Sequence, residues 1–424
     1  MRTLYNAALY PARAASFVFG AWPRANPAAK LERDQRLGRR LPAVAPGGVW
    51  LHGASVGEAR ITAALAREIR RLRPAQAILA SAITTTGRAQ LPSPPLAEGA
   101  FFLPLDFIDV QRRAFDALGP AMLVLIETEI WPNLLTEAAA RQIPVVIVNG
   151  RLAPERLTRY RLLAGLYRPL LRTLAAVGVA DREEAARFEA LGVPSPSIEV
   201  LGNLKFDLPA PTASPAAVRA RFGVPADRPV VVAGSTGEGE DALVFDALAT
   251  ARREVPDLLL VLAPRHPARF PSAADEASRR GFRVARVSSN VPVDGADVLL
   301  VDTVGDLATL YALASSAFVG GSLVRVGGHN LLEPVAAGVP VLFGPHTGHV
   351  AEIASKLVRF AAGIRIADAP ELGAAWARLA THPDERARLV ASGRTVLDTH
   401  RGALTRAAQL VLLTLDRKGP GRPA

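Results

Sequence analysis

Short runs of consecutive apolar residues recur along this chain, each followed by a segment in which apolar positions return every three or four residues. In the first half the runs are Val49 to Leu51, Ala77 to Ala82, Ala121 to Ile126, Val145 to Val148 and Ala175 to Val179. A strand covered on both faces reads as an unbroken apolar run, and a helix packed along one side reads as a 3.6-residue repeat. The alternation therefore predicts a parallel sheet with crossover helices. It lapses between Gly202 and Arg228 into a stretch rich in Ala and Pro, with Pro209, Pro211, Pro215 and Pro225, which reads as a linker. It then resumes with Pro229 to Ala233, Leu258 to Ala263, Val298 to Val301, Ala317 to Val319 and Val339 to Phe343. The expected fold is α/β, with two doubly wound Rossmann-like domains facing a central cleft. The expected divisions are a lead-in over 1–48, a first domain over 49–205, a linker over 206–228, a second domain over 229–415 and a flexible tail over 416–424.

Composition narrows the partners. Fifty Lys and Arg against 39 Asp and Glu give a net charge of +11, which favours an anionic partner such as a membrane face or a phosphorylated substrate. The absence of cysteine excludes disulfides, thiolate catalysis and cysteine-based zinc sites. Leu4 to Trp22 is mostly apolar but interrupted by Pro11 and Arg13, and it is short for a membrane span. With Arg2, Arg24 and the run Arg33 to Arg40 around it, this segment reads as an interfacial anchor, or else as an N-terminal helix packed on its own domain. From Arg151 to Arg172, arginines including Arg156, Arg159, Arg161 and Arg168 alternate with leucines, a pattern that suits either a solvated helix face or a surface for anionic lipid.

Candidate chemistry collects where apolar runs end. His52-Gly53-Ala54-Ser55-Val56-Gly57-Glu58 is a strand-to-helix turn that places Glu58 in the first helical turn, at the carboxyl end of a strand, where open α/β sheets bind ligands. Its Gly-x-Ser-x-Gly spacing also fits a nucleophile elbow with Ser55 as nucleophile, although few strands can precede it. Glu127-Thr128-Glu129 leaves the next strand beside Trp131, and Lys205 is one of only four lysines, a compact charge in a chain that otherwise uses arginine. In the second half, Gly234-Ser235-Thr236-Gly237-Glu238-Gly239-Glu240 has amides suited to a phosphate, or is a turn without a ligand. Pro264-Arg265-His266-Pro267 and Gly320-Gly321-Ser322 through Gly328-His329-Asn330-Leu331-Leu332-Glu333 follow later strands. The last is expected to begin a helix near Asn330. His329 and Glu333 stand four apart, but no third metal ligand has a diagnostic spacing, so no metal site is expected.

Together these segments resemble the 3-deoxy-D-manno-octulosonic acid (Kdo) transferases, inverting glycosyltransferases of the GT-B fold. The resemblance runs nearly end to end and implies transfer of Kdo from CMP-Kdo, a co-substrate, to the lipid A precursor, with no cofactor and no nucleic acid partner. It implies Glu58 as general base, with Glu129 and Lys205 stabilising the transition state. It places CMP on Pro264, Arg265, Val304, Gly305, Asp306, Asn330, Leu331, Leu332 and Glu333, to which the Gly-rich turn adds Ser235 and Thr236. Ser55, Gly57, Arg151, Arg156 and Arg159 are the acceptor candidates, and the cytoplasmic face of a bacterial inner membrane is the expected location. A nucleotide-sugar epimerase of the same fold, a Ser55 hydrolase and a non-enzymatic nucleotide-sugar binding protein are the competing readings. Under the transferase reading, Ser55 is a turn residue that caps the helix carrying Glu58.

Overall fold

The computed structural model describes residues 1–9, 11, 26–152, 154–207, 213–289 and 293–417. Every apolar run named above is a strand, and each half builds its own seven-stranded parallel sheet. The first contains β1 (Val49–His52), β2 (Ile78–Ala82), β3 (Gly99–Phe102), β4 (Met122–Ile126), β5 (Val145–Gly150), β6 (Ala176–Val179) and β7 (Ile198–Val200), in the order β3-β2-β1-β4-β5-β6-β7. The direction of growth reverses between β1 and β4, so a crevice opens at the carboxyl ends of those two strands. Alternate residues of β1 serve opposite faces: Val49 and Leu51 pack with Ile61 and Leu65 of the helix Val56–Leu72, whereas Trp50 packs against Phe101 and Phe115.

The second sheet contains β8 (Val230–Thr236), β9 (Leu259–Pro264), β10 (Val284–Arg286), β11 (Val298–Leu300), β12 (Ser316–Val319), β13 (Val341–Phe343) and β14 (Gly363–Arg365). Their order, β10-β11-β9-β8-β12-β13-β14, puts the reversal between β8 and β12. The apolar pattern missed β3, β7, β10 and β14, which are the four edge strands. An edge strand has one neighbour and sheds the double-sided burial that makes an apolar run continuous, as Ile198-Glu199-Val200 illustrates.

Three of the expected boundaries move. The chain forms two compact units, 1–208 with 400–424 and 209–399, so the C-terminal helix Ala403–Arg417 does not belong to the second domain, which was expected to reach residue 415. Its buried Ala403, Ala407, Ala408, Leu410 and Val411 join the core around β1, and Asp207 accepts the Leu404 N–H at 2.8 Å. The expected linker contains a helix, Pro215–Phe222, whose Val218 is buried in the second unit; residues 208–212 lie outside the described residues. The lead-in is part of the first unit. Its helix Pro27–Arg36 covers β3, with Gln35 accepting the Phe102 N–H at 3.0 Å. Arg36, read as part of a basic run, pairs with Glu32 at 2.9 Å.

Most of the expected anchor, including residues 12–22, lies outside the described residues. Residues 2–9 are helical, and the Tyr5 hydroxyl donates to Asp106 at 2.8 Å. Among the described residues no helix is long and apolar enough to cross a membrane.

Candidate functional site

In the first unit the site begins at Gly53. A Cβ there would lie 2.7 Å from Thr62 Oγ1 and 2.9 Å from the Glu58 carbonyl oxygen, so only glycine lets the helix start directly on the end of β1. Ser55 is the N-cap of that helix and closes a reciprocal capping box with Glu58. Glu58 Oε2 accepts the N–H of Ala54 at 2.6 Å and of Ser55 at 3.3 Å, and Oε1 accepts the Ser55 hydroxyl at 2.9 Å. Burial pushes the Glu58 carboxyl up, the Glu127 charge adds to that, and the hydrogen bonds from Ser55 and Ala54 oppose it. Ser55 thus spends its hydroxyl on a carboxylate and not on a histidine base. Among the described residues β1 is the first strand of its sheet, which removes the preceding strands that a nucleophile elbow follows.

From the neighbouring strand, Glu127 and Glu129 reach different partners. Glu127 takes φ +63, an uncommon and strained conformation for a non-glycine residue. Its carboxylate meets Lys205 Nζ at 2.5 Å. Lys205 sits in a tight turn, Leu204–Asp207, pinned by Asn149, which accepts the Leu204 N–H at 2.9 Å. Glu129 Oε2 accepts the Trp131 indole N–H at 2.9 Å. Its carboxyl is pushed up to about 7, mainly by burial and then by Glu58, while Arg156 pulls it down. The buried His52 turns Nε2 toward the same oxygen at 4.0 Å.

Glu58, Glu129 and Lys205 are therefore brought to one crevice, and Glu127 and His52 join them. Neither of those two is a candidate on its own in the sequence: Glu127 reads as half of a pair, and His52 as the opening residue of the strand-to-helix turn. Among the acceptor candidates, Ser55 and Gly57 are exposed at the helix start. Arg151 accepts the Thr128 hydroxyl through its carbonyl oxygen. Arg156 and Arg159 are exposed on the helix Pro154–Leu162.

The corresponding crevice of the second unit is organised differently. Fully buried Glu240, at the first position of the helix Glu240–Ala251, accepts the Gly237 N–H at 2.8 Å and the Gly321 N–H at 2.6 Å on Oε2. On Oε1 it accepts Ser322 N–H at 3.1 Å and Leu323 N–H at 2.9 Å. Of the Gly-rich turn expected to cradle a phosphate, the Gly237 amide is thus taken by the protein's own carboxylate, together with the amides of Gly321, Ser322 and Leu323, a role for Glu240 that the sequence reading did not assign. Thr236 is likewise turned inward, its hydroxyl donating to Asp241 at 2.6 Å, and Ser235 takes φ +57 beside it.

Arg265 and His329 lie close together at the end of β9. Arg265 is exposed after β9, and the pKa of His329 is pushed down to about 4 by burial and by the charges of Arg265, His349 and His266. Pro264 is buried at the end of β9, Val304 is 83% exposed, and Gly305 has φ +104. Asp306 accepts from Arg221 at 2.6 Å and from the Thr303 hydroxyl at 2.5 Å. Asn330 Oδ1 accepts the Leu332 N–H at 3.1 Å and its amide donates to Glu333 at 3.2 Å. The helix there is Leu332–Ala336, beginning slightly later than expected, which puts Glu333 in its first turn, and the Leu331 and Leu332 side chains are buried. Among the described residues no group of three or more His, Asp or Glu is arranged to hold a metal ion.

Residues 30–208 match the family model described as 3-deoxy-D-manno-octulosonic-acid transferase (kdotransferase). The 3-deoxy-D-manno-octulosonic acid transferase of Haemophilus influenzae is 33% identical over 88% of this chain and 88% of its own length. That of Bordetella pertussis is 35% identical over 91% of each. Among solved structures, Anabaena Alr3699/HepE in complex with UDP has a TM-score of 0.56 at 15% identity, over 87% of this chain and 100% of that one. A putative UDP-N-acetylglucosamine 2-epimerase from Listeria monocytogenes has a TM-score of 0.59 at 13% identity, over 89% and 99%. At such identities the likeness is one of architecture, the two-domain GT-B fold.

Proposed function

Because the chain belongs to the 3-deoxy-D-manno-octulosonic acid transferase family, and is a glycosyltransferase that moves Kdo, we propose that its donor is CMP-Kdo and its acceptor the phosphorylated, acylated glucosamine disaccharide that precedes lipid A. The observation that carries this reading is the Glu58 carboxylate, tethered in place at the switch point with its pKa raised by burial and by Glu127. A general base works best when its pKa approaches the operating pH and its position is set before the substrate arrives.

In the proposed step the acceptor hydroxyl gives its proton to Glu58 as its oxygen bonds to the anomeric carbon of Kdo. The bond from that carbon to the CMP phosphate oxygen breaks on the opposite face, so the configuration inverts and CMP leaves with the electron pair. The positive charge that develops on the sugar in an oxocarbenium-like transition state is met by Glu129. Lys205, held by Glu127 at 2.5 Å, offsets the charge of the departing phosphate. In the second unit, Arg265 supplies the positive charge for the donor phosphate, with the neutral His329 ring beside it as a hydrogen-bonding group. Pro264, Gly305, Asn330 and Glu333 are the nucleotide contacts this reading keeps. A single phosphate can be neutralised by such groups, so the mechanism invokes no metal or other cofactor.

Arg156, Arg159 and Arg161, beside the 79% exposed Leu162, supply a basic and apolar surface suited to the phosphates and acyl chains of the acceptor at an anionic inner leaflet. The test is incubation with CMP-Kdo and the acylated disaccharide bisphosphate, followed by mass spectrometry of the lipid. The lipid is expected to gain the mass of Kdo with release of CMP. Glu58→Gln is expected to bind CMP-Kdo normally while kcat falls about 10²- to 10⁴-fold; normal turnover in that variant overturns the base assignment. Conversion of the nucleotide sugar without any acceptor would favour an epimerase.

A further inference from the structure

His52 is the last residue of β1 and has no solvent exposure. Its register partner on β2 is Ser81, whose Oγ lies 2.9 Å from His52 Nδ1. Trp50 Nε1 donates to the same Ser81 Oγ at 2.8 Å. An indole can only donate, so the serine oxygen accepts on that side. Its second lone pair could take an Nδ1–H, but its own proton would then have no acceptor among the bonds the described residues make, so the hydroxyl donates and His52 Nδ1 is the acceptor. The alternative, Nδ1–H donating to the Ser81 carbonyl, has the longer separation of 3.2 Å, and that carbonyl already takes the Gly53 N–H at 3.1 Å. A neutral ring bonded this way carries its proton on Nε2. Among the described residues Nε2 has no hydrogen-bond partner, and Glu129 Oε2 lies 4.0 Å from it.

We infer that His52 is a positioning residue for Glu129: its Nε2–H, fixed in direction by the Trp50–Ser81–His52 chain, closes onto Glu129 Oε2 when the site is occupied and holds that carboxylate ionised and in place. Trp131 donates to the same oxygen, so two neutral N–H groups converge on Oε2 and neither addresses Oε1, the oxygen left for the developing positive charge of the sugar. The inference rests on the transferase reading above.

A neutral donor is what this place demands. The charged and titratable groups facing Glu129 are Glu58 from the helix after β1, Glu127 from its own strand end with Lys205 beyond it, and Arg156 and Tyr160 from the helix Pro154–Leu162. The two carboxylates oppose its ionisation, whereas a hydrogen bond from an uncharged ring favours the anion. Burial pushes the His52 ring down to about 4, so it stays neutral where an imidazolium would instead cancel the charge that Glu129 presents to the sugar.

Two measurements test this. In ¹⁵N-labelled protein the His52 imidazole is expected to show the Nε2–H tautomer, neutral down to about pH 5; an Nδ1–H tautomer overturns the proposal. In the second, His52→Asn keeps an amide near Ser81 but falls short of Glu129, whereas His52→Gln extends a donor to the Nε2 position. His52→Asn is expected to lower kcat about ten- to hundredfold, the scale of a lost hydrogen bond to a charged group. It should also move the acid limb of the kcat profile to higher pH with KM nearly unchanged, and His52→Gln should restore most of the rate. Equal losses in both variants without displacement of the profile, or a wild-type profile in His52→Asn, overturn it. Wild-type protein that transfers no Kdo would sink the functional reading instead. The tautomer measurement needs no turnover and still decides the hydrogen-bond chain.

Discussion

The two switch points place a glutamate in nearly the same position and use it in opposite ways. In both units the helix after the first strand carries the acid in its first turn, Glu58 in one and Glu240 in the other, and in both the segment after the strand across the switch point faces it. In the second unit that segment is Gly320-Gly321-Ser322-Leu323, and it offers amides. A Cβ on Gly320 would come within 2.6 Å of Glu240 Oε2, so the close approach needs a glycine. The carboxylate finds four donors and its role is structural. In the first unit the segment is Glu127-Thr128-Glu129, and it offers two more carboxylates. Burial, and then the repulsion between carboxylates, raises the pKa values of Glu58 and Glu129, and among the described residues Lys205, Arg156 and a few neutral donors answer them. One topology thus gives a single acid that joins two loops through four amides and a cluster of acids in which Glu58 and Glu129 have raised pKa values; the side chains of one short segment make the difference.

The contrast breaks most sharply at Glu240. Replacing it with Ala leaves the N–H groups of Gly237, Gly321, Ser322 and Leu323 without their buried acceptor, and about 3–5 kcal/mol of stability should be lost from the unit. Denaturant unfolding followed by amide exchange in the second unit would show it. A loss under about 1 kcal/mol would mean that the acid does not hold the loops.

Glu129 should behave in the opposite sense. Its native pKa of about 7 lies above that of an unfolded glutamate, so the native state binds a proton that the unfolded chain has released between roughly pH 4.5 and 7. Stability falls as pH rises through that window. Glu129→Gln should therefore stabilise the protein on the order of 1–3 kcal/mol at pH 8, with the gain gone by about pH 4.5, while turnover drops. Unfolding midpoints measured across pH are the check, and a variant destabilised at pH 8 would remove the strain from this account.

The smallest effect belongs to Ser55. Ser55→Ala removes the cap, worth about 1 kcal/mol, and one of the hydrogen bonds that hold the Glu58 carboxyl down. Turnover should persist with its acid limb shifted to higher pH. Complete loss of activity, together with a covalent intermediate trapped on wild-type Ser55, would return the site to the hydrolase reading.

Much of this arrangement is legible in the chain. The apolar runs mark the ten inner strands, and Gly53, Ser55 and Glu58 spell out a strand, a cap and a first-turn acid because each depends on neighbours within five residues. The four edge strands are not legible, since they lack the double-sided burial that the pattern detects. The C-terminal helix is legible as a helix, yet its apolar stripe carries no address; only the packing of Ala407 and Val411 near β1 assigns it to the first unit. Glu240 reads as one more charge in a Gly-rich turn, because its four donors come partly from a loop about eighty residues away.

Local patterning alone therefore set the α/β class, the two sheets and the presence of an acid at the start of the helix after β1, since period, propensity and capping act over a few residues. Which acids gather with raised pKa values and which are tied into the fold was decided by tertiary contact. A carboxylate's pKa and partners depend on what arrives through space: amides from the Gly320 loop for Glu240, Glu127 and Glu129 for Glu58, and the Trp50–Ser81–His52 chain beside Glu129.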